Sequence, residues 1–234
     1  MSDLKDFPVT RKWPPQHPER IQLYSVPTPN GVKVSIMLEE TGLPYEAHLV
    51  RFDANDQMSP EFLSLCPNNK IPAILDPAGP GGKALGLFES GAILLYLADK
   101  SRRFIPPDAA GRYETLQWLM FQVGGVGPMF GQIGFFHKFA GKDYEDKRPR
   151  DRYVAEGRRL LGVLNARLAD RPWLMGDAYT IADIAIFPWV RAVVGFYGAG
   201  ELVGAAEFTN VTRSLAAFLA RPAVVAGLEI PRRN

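Results

Sequence analysis

Asn68-Asn69-Lys70-Ile71-Pro72-Ala73-Ile74-Leu75-Asp76, followed after a break by Leu85-Gly86-Leu87-Phe88 and then by Ser90-Gly91-Ala92-Ile93-Leu94-Leu95-Tyr96-Leu97, is the stretch on which the fold turns. Ile71 to Asp76 and Ala84 to Phe88 are short β-type runs. Pro77, Gly79, Pro80, Gly81 and Gly82 lie between them, a hairpin signal. Ser90 to Lys100 carries Ile93, Leu94 and Leu97 at helical spacing. Upstream, Ile21 to Ser25 reads as a strand and Thr28-Pro29-Asn30-Gly31 as a break. Val34, Met37 and Leu38 then recur at helical spacing, with Gly42 as the stop. Tyr45 to Phe52 reads as a second strand. Ser59-Pro60-Glu61 opens a short helix, with Ser59 as N-cap and Pro60 at the first helical position. The order βαβαββα predicts a mixed sheet covered by helices, an α/β unit over residues 21–101.

Beyond Pro106-Pro107 the strand signal fades. Helical patterns run from about Arg112 to Phe139, from Arg150 to Ala169 and onward from Thr180, so residues 112–234 read as an all-α bundle after a linker at 102–111. Before the first strand, Pro8, Pro14, Pro15 and Pro18 are spaced too closely for a helix or a central strand. Residues 1–20 therefore read as an extended arm, anchored through Trp13.

Composition excludes several function classes. The 234 residues carry a formal net charge of +2, too little for a nucleic-acid or membrane surface. The longest apolar run, Ala92 to Ala98, is far short of the roughly 20 residues that span a bilayer. Met1 to Arg20 holds no apolar signal segment, so a soluble cytoplasmic protein is expected. Cys66 is the single cysteine, which rules out a Cys-x-x-Cys redox pair. No metal is implied.

Three turns carry chemistry, and each has a bland reading. Thr28 and Pro29 suit the start of a capped helix; equally, a hydroxyl, an amide and unpaired N–H groups at a helix N-terminus suit an anion or thiolate. Pro72 enters a strand without an N–H. If Ile71–Pro72 is cis, the backbone of Ile71 turns toward a ligand, while Lys70 beside it reads as an ordinary surface lysine. Ser90 caps the next helix, or receives a carboxylate while Glu89 holds an ammonium, matching the two ends of an amino-acid head group.

Together the segments Tyr24 to Gly31, Asn68 to Ala73 and Phe88 to Leu97 resemble the glutathione site of cytosolic glutathione transferases. The Thr-Pro-Asn-Gly form, with Leu116-Gln117-Trp118 and Gly124-Gly125-Val126-Gly127-Pro128-Met129, is similar to the bacterial nu class, which is related to the fungal nitrogen-regulatory prion protein. The resemblance covers roughly residues 21–225 and implies a thioredoxin-like first half. It implies that Thr28 and Asn30 face the sulfur of glutathione, Ile71 and Pro72 meet its cysteinyl backbone, Glu89 and Ser90 hold its γ-glutamyl end, and Gln57 and Lys70 its glycyl side. It further implies a homodimer in which Arg152, or Arg150 two residues before it, reaches the partner's site. The implied activity is reduction of disulfides by glutathione, bound as thiol or disulfide, without a protein cysteine. Conjugation to an electrophile, peroxide reduction or a non-catalytic regulatory role are the alternatives. Tyr24 lies within the first strand, Ser25 is a weaker rival to Thr28, and Cys66 fits an inert buried thiol. Thr180 to Asp183 has the form of a structural capping box. Gly124 to Gly131 follows a helix and lacks the Gly-Lys-Ser/Thr of a phosphate loop. Phe130, Phe135, Phe136 and His137 read equally as pocket wall or core.

Overall fold

The computed structural model describes residues 4–232 and divides the chain into two compact units. The first comprises residues up to Ser101 together with those from Pro222 onward; the second is Arg102–Arg221.

In the first unit, α1 (Val9–Lys12) precedes β1 (Ile21–Ser25), α2 (Gly31–Thr41), β2 (Tyr45–Leu49), α3 (Pro60–Leu65), β3 (Ala73–Asp76), β4 (Leu85–Phe88) and α4 (Ser90–Ser101). The expected βαβαββα order is therefore present. The sheet order is β2-β1-β3-β4, with β1 parallel to β2 and antiparallel to β3. Central β1 is buried at all five positions, as a strand covered on both faces must be. Its one amide, Gln22, is satisfied by the carbonyls of His17 and Arg20 and by the His48 ring at 2.7 Å. Caps decide the boundaries. Gly42 takes the left-handed conformation (φ 72°) and its N–H returns to the Leu38 carbonyl, ending α2. The Ser59 hydroxyl accepts from Phe62 N–H to open α3.

The arm is not extended throughout. Val9–Lys12 forms one helical turn with Pro8 ahead of it, where a proline costs no hydrogen bond. Trp13 then anchors the arm: its ring lies edge-on to Tyr24 and Phe62, and its Nε1 donates to the Leu49 carbonyl at 3.2 Å.

The second unit contains α5 (Ala109–Phe121), α6 (Gly127–His137), α7 (Arg148–Arg167), α8 (Ile181–Arg191) and α9 (Thr209–Leu219). The expected linker at 102–111 is shorter, because Asp108 accepts from Gly111 N–H and starts α5 inside it. Where one helix was expected from Arg112 to Phe139, a π-turn at Gln122–Val126 separates α5 from α6. From Ile181 to Val190 every residue of α8 is buried, the pattern of a central helix apolar all round. Thr180 and Asp183 form the capping box ahead of it.

A last helix, α10 (Pro222–Gly227), departs from the reading that carried the helical half to 234. It packs on α2 within the first unit, where Ser35 Oγ donates to the Gly227 carbonyl at 2.6 Å. Among the described residues no helix is long and apolar enough to cross a membrane.

Candidate functional site

Strand register brings the three turns together. At the end of β1, Tyr24 faces Ala73 at the start of β3, and Ala73 faces Phe88 at the end of β4. Ser25 faces Leu49 at the end of β2. Because β3 runs against both β1 and β4, the residues after β1, before β3 and after β4 emerge at one end of the sheet. Thr28 and Asn30, Lys70 to Pro72, and Glu89 with Ser90 therefore share an end. The segment after β2, which leads to Gln57, leaves from that end too.

In the turn after β1, the Thr28 hydroxyl accepts from Gly31 N–H at 3.1 Å, and Val32 N–H donates to the Thr28 carbonyl at 2.9 Å. Capping thus starts three residues ahead of the regular helix. Only a lone pair of the hydroxyl is consumed, so its proton is still available to a ligand. Thr28, Pro29 and Asn30 are half-buried. Gly31 is required by close approach: a Cβ there would fall 2.1 Å from the Val26 carbonyl oxygen.

The Ile71–Pro72 bond is cis, both residues are buried, and β3 begins only at Ala73. Lys70 is exposed. Cys66 is 1% exposed within the apolar core of the first unit, its Sγ 3.1 Å from the Lys70 carbonyl.

At the third turn Glu89 has φ 74°, and its carbonyl accepts the first helical bond, from Ile93 N–H. Glu89 rather than Ser90 therefore holds the position preceding α4, which corrects the capping reading of Ser90. Ser90 is buried, and its Oγ accepts from Lys33 Nζ at 3.2 Å. Lys33 was missed by sequence reasoning. Its one signal was a cation within the apolar run Val32 to Leu38. Burial pushes the Lys33 ammonium down to about 7, with Glu89 pulling it back.

Gln57 follows Asp56 on the segment that leaves β2. Its Oε1 is buried and accepts no hydrogen bond within the fold. Arg152 is exposed on α7, while Arg150 is half-buried and paired with Asp151 at 2.7 Å. Phe130 is fully buried core; Phe135, Phe136 and His137 are half-buried at the end of α6. No group of three or more His, Cys, Asp or Glu side chains suited to a metal ion exists among the described residues.

Residues 19–99 match the family "Glutathione S-transferase, N-terminal domain", and residues 149–221 match "Glutathione S-transferase, C-terminal domain". This chain belongs to the glutathione S-transferase family. Among its relatives is the disulfide-bond oxidoreductase YfcG of Escherichia coli, 50% identical over 173 residues, which are 74% of this chain and 80% of YfcG. A glutathione transferase from Burkholderia graminis, solved with two glutathione molecules per subunit, superposes with a TM-score of 0.98 at 74% identity, covering 100% of this chain and 98% of that one. One from Pseudomonas putida, solved with one glutathione disulfide per subunit, superposes with a TM-score of 0.97 at 68% identity, covering 98% of this chain and 100% of that one. The expected membership of the glutathione transferase family is thereby borne out, as is the fold of a thioredoxin-like half followed by a helical one.

Proposed function

We propose that this transferase reduces disulfides with glutathione as the working thiol. One observation carries the reading most directly: the sole cysteine is locked in the core, while close relatives bind glutathione or its disulfide. A bound glutathione thiolate attacks one sulfur of a disulfide, forming a mixed disulfide and releasing the other half as a thiolate that takes up a proton. A second glutathione thiolate then attacks the mixed disulfide, giving glutathione disulfide and the second thiol. A relative that holds two glutathione molecules per subunit is in keeping with this sequence of steps.

In this reading the protein supplies binding and polarity. Lowering a thiol pKa by about 2 units requires about 2.7 kcal/mol of preference for the thiolate. The Thr28 hydroxyl proton, the Asn30 side chain and the N-terminal end of α2 are the donors suited to that task. Ile71, beside cis Pro72, pairs with the cysteinyl backbone, and Glu89 with Ser90 holds the γ-glutamyl head group. Gln57 and Lys70 serve the glycyl side, where the unpartnered Gln57 Oε1 is an acceptor for a peptide N–H. We take the working form to be a homodimer, with exposed Arg152 rather than the Asp151-paired Arg150 reaching the partner's glutathione.

The test compares reduction of hydroxyethyl disulfide by glutathione with conjugation of a chloronitrobenzene, in wild type and Asn30→Ala. Wild type is expected to favour the disulfide, and Asn30→Ala to lose about 100-fold in kcat/KM, the scale of one lost donor at a developing anion. Full disulfide turnover in Asn30→Ala removes that residue from the mechanism. Tight glutathione binding with neither activity points instead to a regulator.

A further inference from the structure

Lys33 is 1% exposed on α2, among buried Val32, Val34, Ser35, Ile36, Met37 and Leu38, of which only Ser35 is polar. Packing alone does not call for a cation there, since an apolar side chain of similar volume usually does as well or better than a buried charge. A lysine ammonium has three donors and no acceptor, so it persists in such a layer only where acceptors or anions meet it. One acceptor is Ser90 Oγ at 3.2 Å, and Glu89 supplies the nearby negative charge.

That contact has a consequence for Ser90. Its hydroxyl offers one proton and two lone pairs, and Lys33 occupies a lone pair. The proton is left for another acceptor, and Ser90 follows directly on β4 at the end of the sheet where the three turns converge. We propose that Lys33 is a positioning residue for the head-group site: it orients the Ser90 hydroxyl as a donor to an incoming α-carboxylate and supplies positive charge beside it. The site so built selects ligands whose amino-acid end carries both charges, an ammonium for exposed Glu89 and a carboxylate for Ser90 with Lys33. The lowered affinity of Lys33 for its proton fits this role, because an arriving carboxylate favours the charged ammonium.

This inference rests on the assignment of Glu89 and Ser90 to the γ-glutamyl end, so the experiment reads the two separately. KM and kcat for disulfide reduction are measured with glutathione and with 4-aminobutyryl-cysteinylglycine, which lacks only the α-carboxylate. The proteins are wild type, Ser90→Ala, Lys33→Met and Lys33→Arg. Wild type is expected to prefer glutathione strongly, and Ser90→Ala to lose much of that preference. If wild type does not discriminate, or Ser90→Ala changes nothing, the head-group assignment fails.

Given discrimination, Lys33→Met is expected to raise KM for glutathione roughly 10-fold or more, the range for a lost hydrogen bond to a charged group, with kcat within about twofold and the analogue's KM unchanged. Lys33→Arg, which keeps a cationic donor, is expected to retain part of the preference. A Lys33→Met enzyme that discriminates as well as wild type overturns the proposal, as does one whose KM rises equally for both thiols. Should Lys33→Met fail to fold, Lys33→Gln serves instead: it keeps a donor without the charge and is expected to lose about threefold in preference, and full preference there overturns the proposal.

Discussion

Asp56 shows how a single carboxylate steadies the segment that carries Gln57. Its Oδ2 accepts from Arg51 N–H at 2.9 Å, and its Oδ1 meets Lys12 Nζ at 2.9 Å, tying the N-terminal arm to the loop after β2. Burial by itself would raise this carboxyl. The Arg51 amide and the Lys12 ammonium outweigh burial and hold it below the usual carboxylate range. A carboxyl whose folded pKa is depressed contributes stability above its unfolded value of about 3.9, and that stability is lost as pH falls through the folded value. Asp56→Asn is therefore expected to cost about 2 kcal/mol at pH 7, the scale of hydrogen bonds to a charged group. Urea midpoints of wild type and variant, compared from pH 7 down to about 3, should converge toward the acid end. A constant gap contradicts the assignment. Of the residues in this region, Ser59 was legible in sequence because capping is local. Lys12 and Asp56 were not, because their pairing depends on how the arm folds back.

The capping box ahead of α8 is the element where sequence and structure agree most closely. Thr180 Oγ accepts from Ala182 N–H, and Asp183 Oδ2 accepts from Thr180 N–H at 2.9 Å. Asp183 also reaches outside the box: its Oδ1 accepts from Leu174 N–H at 2.9 Å, a bond no local motif announces. Burial pushes the Asp183 carboxyl up to about 6 against the pull of these donors. Thr180→Ala removes one cap and is expected to cost about 1 kcal/mol. Asp183→Ala leaves the buried Thr180 and Leu174 N–H groups without their acceptor and is expected to cost about 3 kcal/mol or more. Chemical unfolding of both variants checks the ordering, and equal losses contradict it. Helices with capping signals were readable in this way to within a few residues. The π-turn at Gln122–Val126 was not, because the apolar periodicity continues across it.

At the scale of the whole chain, the first unit is closed by residues distant in sequence. Gly227 packs against α2 so tightly that an added Cβ would lie 2.7 Å from the Ile36 Cα, and its carbonyl accepts from Ser35. Because α2 carries Lys33 and follows directly on the Thr28–Asn30 turn, α10 backs the helix on which the proposed site is built. Gly227→Ala is expected to destabilise the protein by about 2 kcal/mol, the cost of forcing a methyl group into a packed contact. Truncation after Arg221 should be worse, lowering the melting temperature by several degrees and weakening glutathione binding. Calorimetry and titration of the two variants test this, and a truncated chain with wild-type affinity and melting temperature rules it out.

What the amino-acid sequence determined unaided was the order of the elements and the residue types at each turn. Periodicity, caps and breakers act over three or four residues, which is the range at which a helix or strand is decided. For Thr28, Asn30, Ile71, Pro72, Glu89 and Ser90 local signals left a cap and a site equally open, and the family resemblance singled them out. Only the tertiary structure decided that α10 belongs to the first unit, that Gln57 buries an unpartnered acceptor and that Lys33 donates to Ser90. Those facts join positions 57 residues apart in one case and 192 in another. Strand register and helix packing set such distances, and they arise from burying apolar surface across the whole unit rather than from any neighbouring pattern.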